Sequence, residues 1–158
     1  MKEKDIKRKL SKLSLNEVFS LKRDVVVTSD NDFLITGTVN EQMPDEINLK
    51  FLFTEGASAD FRIRLLLKYP RHLILKFVVE AEYGSRGTSS QLDMKALVLN
   101  NHSSVTFVPS LEINEKNVSI DHKSTIGMPD KELMKYLQSR GLSKNTSLEI
   151  IEQAFLQS

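Results

Sequence analysis

The feature that most constrains this chain is a period of two. Leu73, Leu75, Phe77, Val79 and Ala81 occupy alternate positions without a break. A helix would scatter such positions around its axis, whereas a strand lines them up on one face. The same alternation runs through Ile47, Leu49, Phe51 and Phe53, through Phe61, Ile63 and Leu65, and through Leu92, Met94, Ala96 and Val98. Shorter pieces are Val25–Val27, then Phe33, Ile35 and Val39, and later the pairs Val105 with Phe107, Leu111 with Ile113 and Val118 with Ile120. Between them stand Asp30-Asn31-Asp32, Glu55-Gly56, Tyr69-Pro70-Arg71, residues 84–87 and Asn100-Asn101, all ordinary turn chemistry. Residues 24–120 are therefore read as all β. Periodicity alone leaves an antiparallel sandwich and a stack of parallel rungs equally open.

With 158 residues the chain is the size of one domain that buries a core without staples. It has no cysteine. Cysteine-ligated zinc, a thiol nucleophile and a cysteine-held iron-sulfur cluster supplied by this chain alone are thereby excluded. A net charge of +1 lacks the cationic excess that binds a phosphate backbone, so no nucleic-acid partner is expected. No apolar run approaches bilayer length and no signal segment opens the chain, which implies no membrane partner and a cytoplasmic protein.

The two ends read differently from the middle. Residues 1–23 crowd Lys2, Lys4, Lys7, Arg8, Lys9 and Lys12 around Ile6, Leu10 and Leu13, which share one helical face. This segment is expected to be a solvated basic helix resting one stripe on the core, because it lacks the bulky aromatics of a membrane anchor. Residues 121–158 hold the strongest helix signals. A helix is expected from about Met128, with Pro129 in its first turn and Leu133, Tyr136 and Leu137 on one stripe. Gly141 ends it with a left-handed cap. Thr146 and Glu149 read as a capping box that opens a second helix, with Leu148, Ile151, Ala154 and Phe155 on one face. A two-helix hairpin thus closes the chain.

The residues Pro109-Ser110-Leu111-Glu112-Ile113, Val118, His122, Thr125-Ile126-Gly127, Leu133, Tyr136-Leu137 and Ser139-Arg140-Gly141 stand in an order and spacing similar to the C-terminal signature of the SufB/SufD family. These are the paired core proteins of the SUF iron-sulfur cluster assembly system. The resemblance fades upstream, and residues 1 to 45 carry none of it. It implies a mainly β fold: a right-handed parallel β-helix, of which this chain would keep the last rungs, followed by C-terminal helices. A solenoid cut short exposes an unpaired end, which the N-terminal segment or a second subunit would cover.

The resemblance also implies a function. The chain would be a SufD-like accessory scaffold rather than an enzyme, with a SufC-like ABC ATPase and either a SufB-like subunit or a second copy as partners. In the family, assembly is placed at the interface between paired subunits, using a cysteine and an acidic residue from one and a histidine from the other. At the cysteine position, twenty-nine residues ahead of Asp121, stands Leu92, which cannot ligate iron. Asp121 occupies the acidic position and His122 that of the motif histidine, a pair suited to holding iron weakly. No cluster would be bound stably by this chain alone; iron, or a transient cluster shared with a partner, would be the cargo. The family's ATPase contact lies in the C-terminal helices, which nominates Leu133, Tyr136, Leu137, Arg140 and Phe155 as partner-binding residues. Two other readings stay open. His122 with Ser124 and Thr125 mimics parts of a hydrolase site, though no nucleophile elbow exists; and the hairpin could serve an adaptor with no iron-sulfur role. A histidine at a strand-to-helix junction also serves often as a plain hydrogen-bonding residue. His72 and His102 lack partners at ligand spacing and are given no role.

Overall fold

The computed structural model of the protein describes residues 9–20, 24–28, 30–54 and 56–158. The elements run β1 (Lys9–Ser14), α1 (Leu15–Ser20), β2 (Val25–Val27), β3 (Asn31–Val39), β4 (Glu46–Phe53), β5 (Ala59–Leu67), β6 (His72–Ala81), β7 (Ser89–Val98), β8 (Ser104–Ile113), β9 (Ser119–Gly127), α2 (Lys131–Ser139) and α3 (Lys144–Gln157). Odd-numbered strands form one sheet in the order β1-β3-β5-β7-β9, and even-numbered strands form a second in the order β2-β4-β6-β8. Every neighbouring pair is parallel. Consecutive strands therefore alternate between sheets, and the chain winds as a parallel β-solenoid with a coil of about thirty residues. Parallel rungs, not a sandwich, are the architecture, and the two helices follow them.

Register explains the core. Ser11, Phe33, Phe61, Leu92 and His122 occupy one column across the odd sheet, and Leu13, Ile35, Ile63, Met94 and Ser124 the next inward column. Phe33 stacks on Phe61 at 5.1 Å between ring centroids, while Phe51 from the even sheet tilts against Phe61 at 4.5 Å and stacks on Phe77 at 5.0 Å. Each such pair adds about 0.5–1.5 kcal/mol beyond the burial of its area. The period-two positions of β4, β5, β6 and β7 all point into this core.

Four sequence expectations change. Leu10 and Leu13, read as one helical face, lie instead on β1; their spacing of three mimics a helix because only Leu13 sits in the core column, beside Ile35. The helical segment that does form there is α1, whose start is a capping box: the Ser14 hydroxyl accepts from the Glu17 N–H at 3.2 Å, and the Glu17 carboxylate accepts from the Ser14 N–H at 2.7 Å. Ile6 and most of the basic cluster fall outside the described residues. The pieces around Phe107 and Leu111 are one strand, β8, and residues 121–127 belong to β9 rather than to a connection. Finally, Asp130 caps α2, accepting from Glu132 and Leu133 N–H groups, so Pro129 precedes the helix; and Ser143, not Thr146, caps α3.

The hairpin is fastened to the outer face of the odd sheet. Met134 and Leu137 of α2 and Ile151, Phe155 and Leu156 of α3 pack with Leu66, Leu97 and Leu99. Polar ties reinforce it. Lys68 donates to the buried Glu152 carboxylate at 2.5 Å. Arg64, only 2% exposed, donates to the Asp93 carboxylate at 2.8 Å, to the Asp93 carbonyl at 2.9 Å and to the Ser158 hydroxyl at 3.1 Å. The α2–α3 turn is a Schellman cap: Gly141, at φ 88°, donates to Gln138 and Leu142 donates to Leu137. Among the described residues no helix is long and apolar enough to cross a membrane.

Candidate functional site

β9 is the last rung of the odd sheet and β8 the last of the even one, and among the described residues no further strand pairs with their outer edges. The inward columns change character at this rung. Where the preceding coils place Phe61 and Leu92, β9 places His122; where they place Ile63 and Met94, it places Ser124. Ile126 follows Leu65 and Ala96 but is 49% exposed. His122 is thus a mid-strand residue at an open core, not a residue at a strand-to-helix junction.

A shallow cavity of about 210 Å³ lies along this edge, lined by three register pairs: Gln91 with Asp121, Leu92 with His122, and Asp93 with Lys123. Leu92 is buried directly alongside His122. The spacing of twenty-nine residues between Leu92 and Asp121 is therefore one coil less one residue. Asp93 is the electrostatic centre of the outer side, with Arg64 at 2.8 Å, Lys123 at 3.8 Å and Lys95 at 4.0 Å from its carboxylate. Its other carboxylate oxygen is buried without a hydrogen-bond partner.

Successive residues of a strand project to opposite faces. His122 shares the inner face with Leu92, whereas Asp121 lies on the outer face in line with Gln91 and Asp60. The carboxylate and the imidazole line the same edge but approach it from two sides. Clusters are held by thiolates as a rule, and this chain has none, so its own donor set does not fit a resident iron-sulfur cluster. Among the described residues no three His, Cys, Asp or Glu side chains lie close enough to hold a metal ion. The hydrolase parts are divided in the same way: Ser124 shares the face of His122, while Asp121 and Thr125 take the other. His72, elsewhere on β6, bonds the Ser104 hydroxyl through Nδ1, and His102 is exposed in a turn.

The five residues nominated on the hairpin separate into two groups. Leu137 and Phe155 pack toward the odd sheet and hold the hairpin in place. Leu133 and Tyr136 are 43% and 53% exposed, and the Arg140 guanidinium lies over the Tyr136 ring at 5.3 Å. Met134, not Leu133, is the α2 residue that joins Leu137 on the inward stripe. The reading of Leu133, Tyr136 and Leu137 as one stripe missed this because Met134 and Leu137 are three apart as well, and spacing alone does not say which pair faces the sheet.

Comparison with known proteins fits this geometry. Residues 72–155 match the family model described as SUF system FeS cluster assembly, SufBD core domain. The chain is 27% identical over 85 residues to an iron-sulfur cluster assembly SufBD family protein of Staphylococcus haemolyticus, covering 54% of this chain and 18% of that protein. A SufBD family protein of Staphylococcus aureus is 26% identical over the same length. The iron-sulfur cluster assembly protein SufB of Bacillus subtilis is 29% identical over 73 residues, 46% of this chain and 16% of SufB. The match thus spans less than a fifth of the length of these relatives. The family match takes in β6 to β9 and nearly all of the hairpin, more than half of the residues, and the chain belongs to the SufBD family of the SUF iron-sulfur cluster assembly system.

Proposed function

We propose that this chain is a SufD-like accessory scaffold of cytoplasmic iron-sulfur cluster assembly, acting through protein partners rather than by catalysis. It holds no cluster alone, for want of a thiolate, and contributes His122 and Asp121 at an edge that a second solenoid subunit completes. A SUF-type ABC ATPase docks on the free side of the hairpin. The observation that carries the docking is the division of α2: Met134 and Leu137 satisfy the packing on the odd sheet, leaving Leu133 and Tyr136 exposed with Arg140 laid over the tyrosine. Tyrosine and arginine are the residue types that dominate protein interfaces, and a helix laid into a groove presents such anchors at this spacing.

The double substitution Leu133→Asp with Tyr136→Ala tests it. Neither side chain is buried, so the melting temperature should move by no more than about 2 °C, while capture of the ATPase should fall at least about tenfold. Capture at the level of the unaltered protein would overturn the docking.

A further inference from the structure

The hairpin is tied to the solenoid by few polar bonds, and these share one origin. Among the described residues, every backbone hydrogen bond made from Asp130 to Ser158 stays inside the hairpin. Each hydrogen bond or ion pair that crosses to the solenoid starts from a cation of β5 or of the turn after it. The Arg64 guanidinium donates to the Ser158 hydroxyl at 3.1 Å and to the Ser158 carbonyl at 3.3 Å, and Lys68 donates to the Glu152 carboxylate at 2.5 Å. The rest of the seat is apolar, with Met134, Leu137, Ile151, Phe155 and Leu156 packed with Leu66, Leu97 and Leu99.

These charges are arranged so that lifting the hairpin strands none of them. Arg64 keeps its bonds to the Asp93 carboxylate at 2.8 Å, the Asp93 carbonyl at 2.9 Å and the Ile63 carbonyl at 3.0 Å, all of them within the sheet. The Lys68 side chain is already 39% exposed. Glu152 is buried only against the sheet side of α3, so it leaves with the helix and reaches water. Breaking a buried ion pair is severe mainly when one charge stays behind in the interior. Moving the whole helix avoids that. The connection also suits a swing: β9 ends at Gly127, where a Cβ would meet nothing within 4 Å, Met128 is exposed, and no described backbone hydrogen bond ties Met128 or Pro129 to the solenoid.

We propose that the hairpin is a hinged arm that lifts off the odd sheet as one unit about residues 127–129, with Arg64 and Lys68 as its two catches. Lifting uncovers Leu66, Leu97 and Leu99 as an apolar strip. The device does not depend on what docks on the free side of α2.

The absence of cysteine makes the test clean. Leu65 and Leu66 are neighbours on β5 and both fully buried, but Leu65 belongs to the main core and Leu66 lies under the hairpin. Without denaturant, Leu66→Cys should react with a thiol reagent at least about tenfold faster than Leu65→Cys, because lifting exposes the first and only opening of the solenoid exposes the second. Adding Lys68→Met, which leaves Glu152 buried without its cation, should speed labelling at 66 about tenfold more and leave it unchanged at 65. Leu97→Cys against Ala96→Cys repeats the comparison on β7, should the β5 variants fail to fold. One lifting event uncovers both 66 and 97, so their rates should agree within about threefold. A wider spread would overturn the single arm. Labelling at 66 no faster than at 65, or a Lys68→Met effect that is equal at the two positions, would overturn the hinge and its catches.

Discussion

The two ends of the solenoid are built on opposite plans. At the first coil, α1 crosses from β1 to β2 with Leu15 and Val18 buried in the main core, and Gly37 of β3 leaves room for it: a Cβ there would lie 2.6 Å from the Leu15 Cβ. At the last coil no helix among the described residues packs into the core in the same way. The same column that holds Gly37, Leu65 and Ala96 ends in the half-exposed Ile126, and beside it stand Ser124 and His122 where β3, β5 and β7 place aliphatic and aromatic side chains. In the first coil α1 fills the core, whereas in the last the inward positions turn polar and exposed.

The contrast should appear directly in stability. Leu15→Ala removes a fully buried side chain at the closed end and should cost about 2–5 kcal/mol in urea unfolding. The matching truncation at the open end, Ile126→Ala, should cost less than about 1 kcal/mol for the monomer. Equal losses would dissolve the distinction between the ends. A gentler version uses glycine. Gly37→Ala forces a methyl against Leu15 and should cost about 1–3 kcal/mol through overpacking. Gly127→Ala, where nothing lies within 4 Å of the added carbon, should change stability by less than about 0.5 kcal/mol. A costly Gly127→Ala would mean that something covers the open end even in the isolated chain.

The same asymmetry decided what could be read from residues alone. The strands of the middle coils were legible because both their neighbours bury one face, which prints a period of two on β4 to β7. β9 was not, since its inner positions His122 and Ser124 are polar and leave no alternation to count. β1 failed for a related reason: Leu10 points away from the core and Leu13 into it, so a strand carries a helical spacing. Choosing parallel rungs over a sandwich needed the family resemblance, as the period is the same in both. At the site, Asp121 and His122 are neighbours in sequence and for that reason take opposite sides of a strand. The hairpin was legible in outline through Gly141, yet Met134 was missed as its inward residue.

The smallest expected effect concerns how the closed end is fastened. The Glu17 carboxyl is held below its ordinary value of 4.5 by the backbone hydrogen bond from Ser14, and further by the Ser14 hydroxyl. A depressed carboxylate contributes stability that is present above its unfolded value and is lost as pH falls through its folded one. Acidification from neutral to about pH 3 should therefore loosen α1 at the closed end. The open end has no such cap and should not share the change. Glu17→Gln keeps the shape of the capping box but removes the titration, so its urea midpoint should fall less on acidification than that of the unaltered chain. Hydrogen exchange localises the effect. Amides of α1 should lose protection at low pH in the unaltered protein but much less in Glu17→Gln, while those of β9 should respond alike in both. A pH dependence identical in the two proteins would show that the capping carboxylate does not hold the closed end, and that burial of Leu15 and Val18 alone does so.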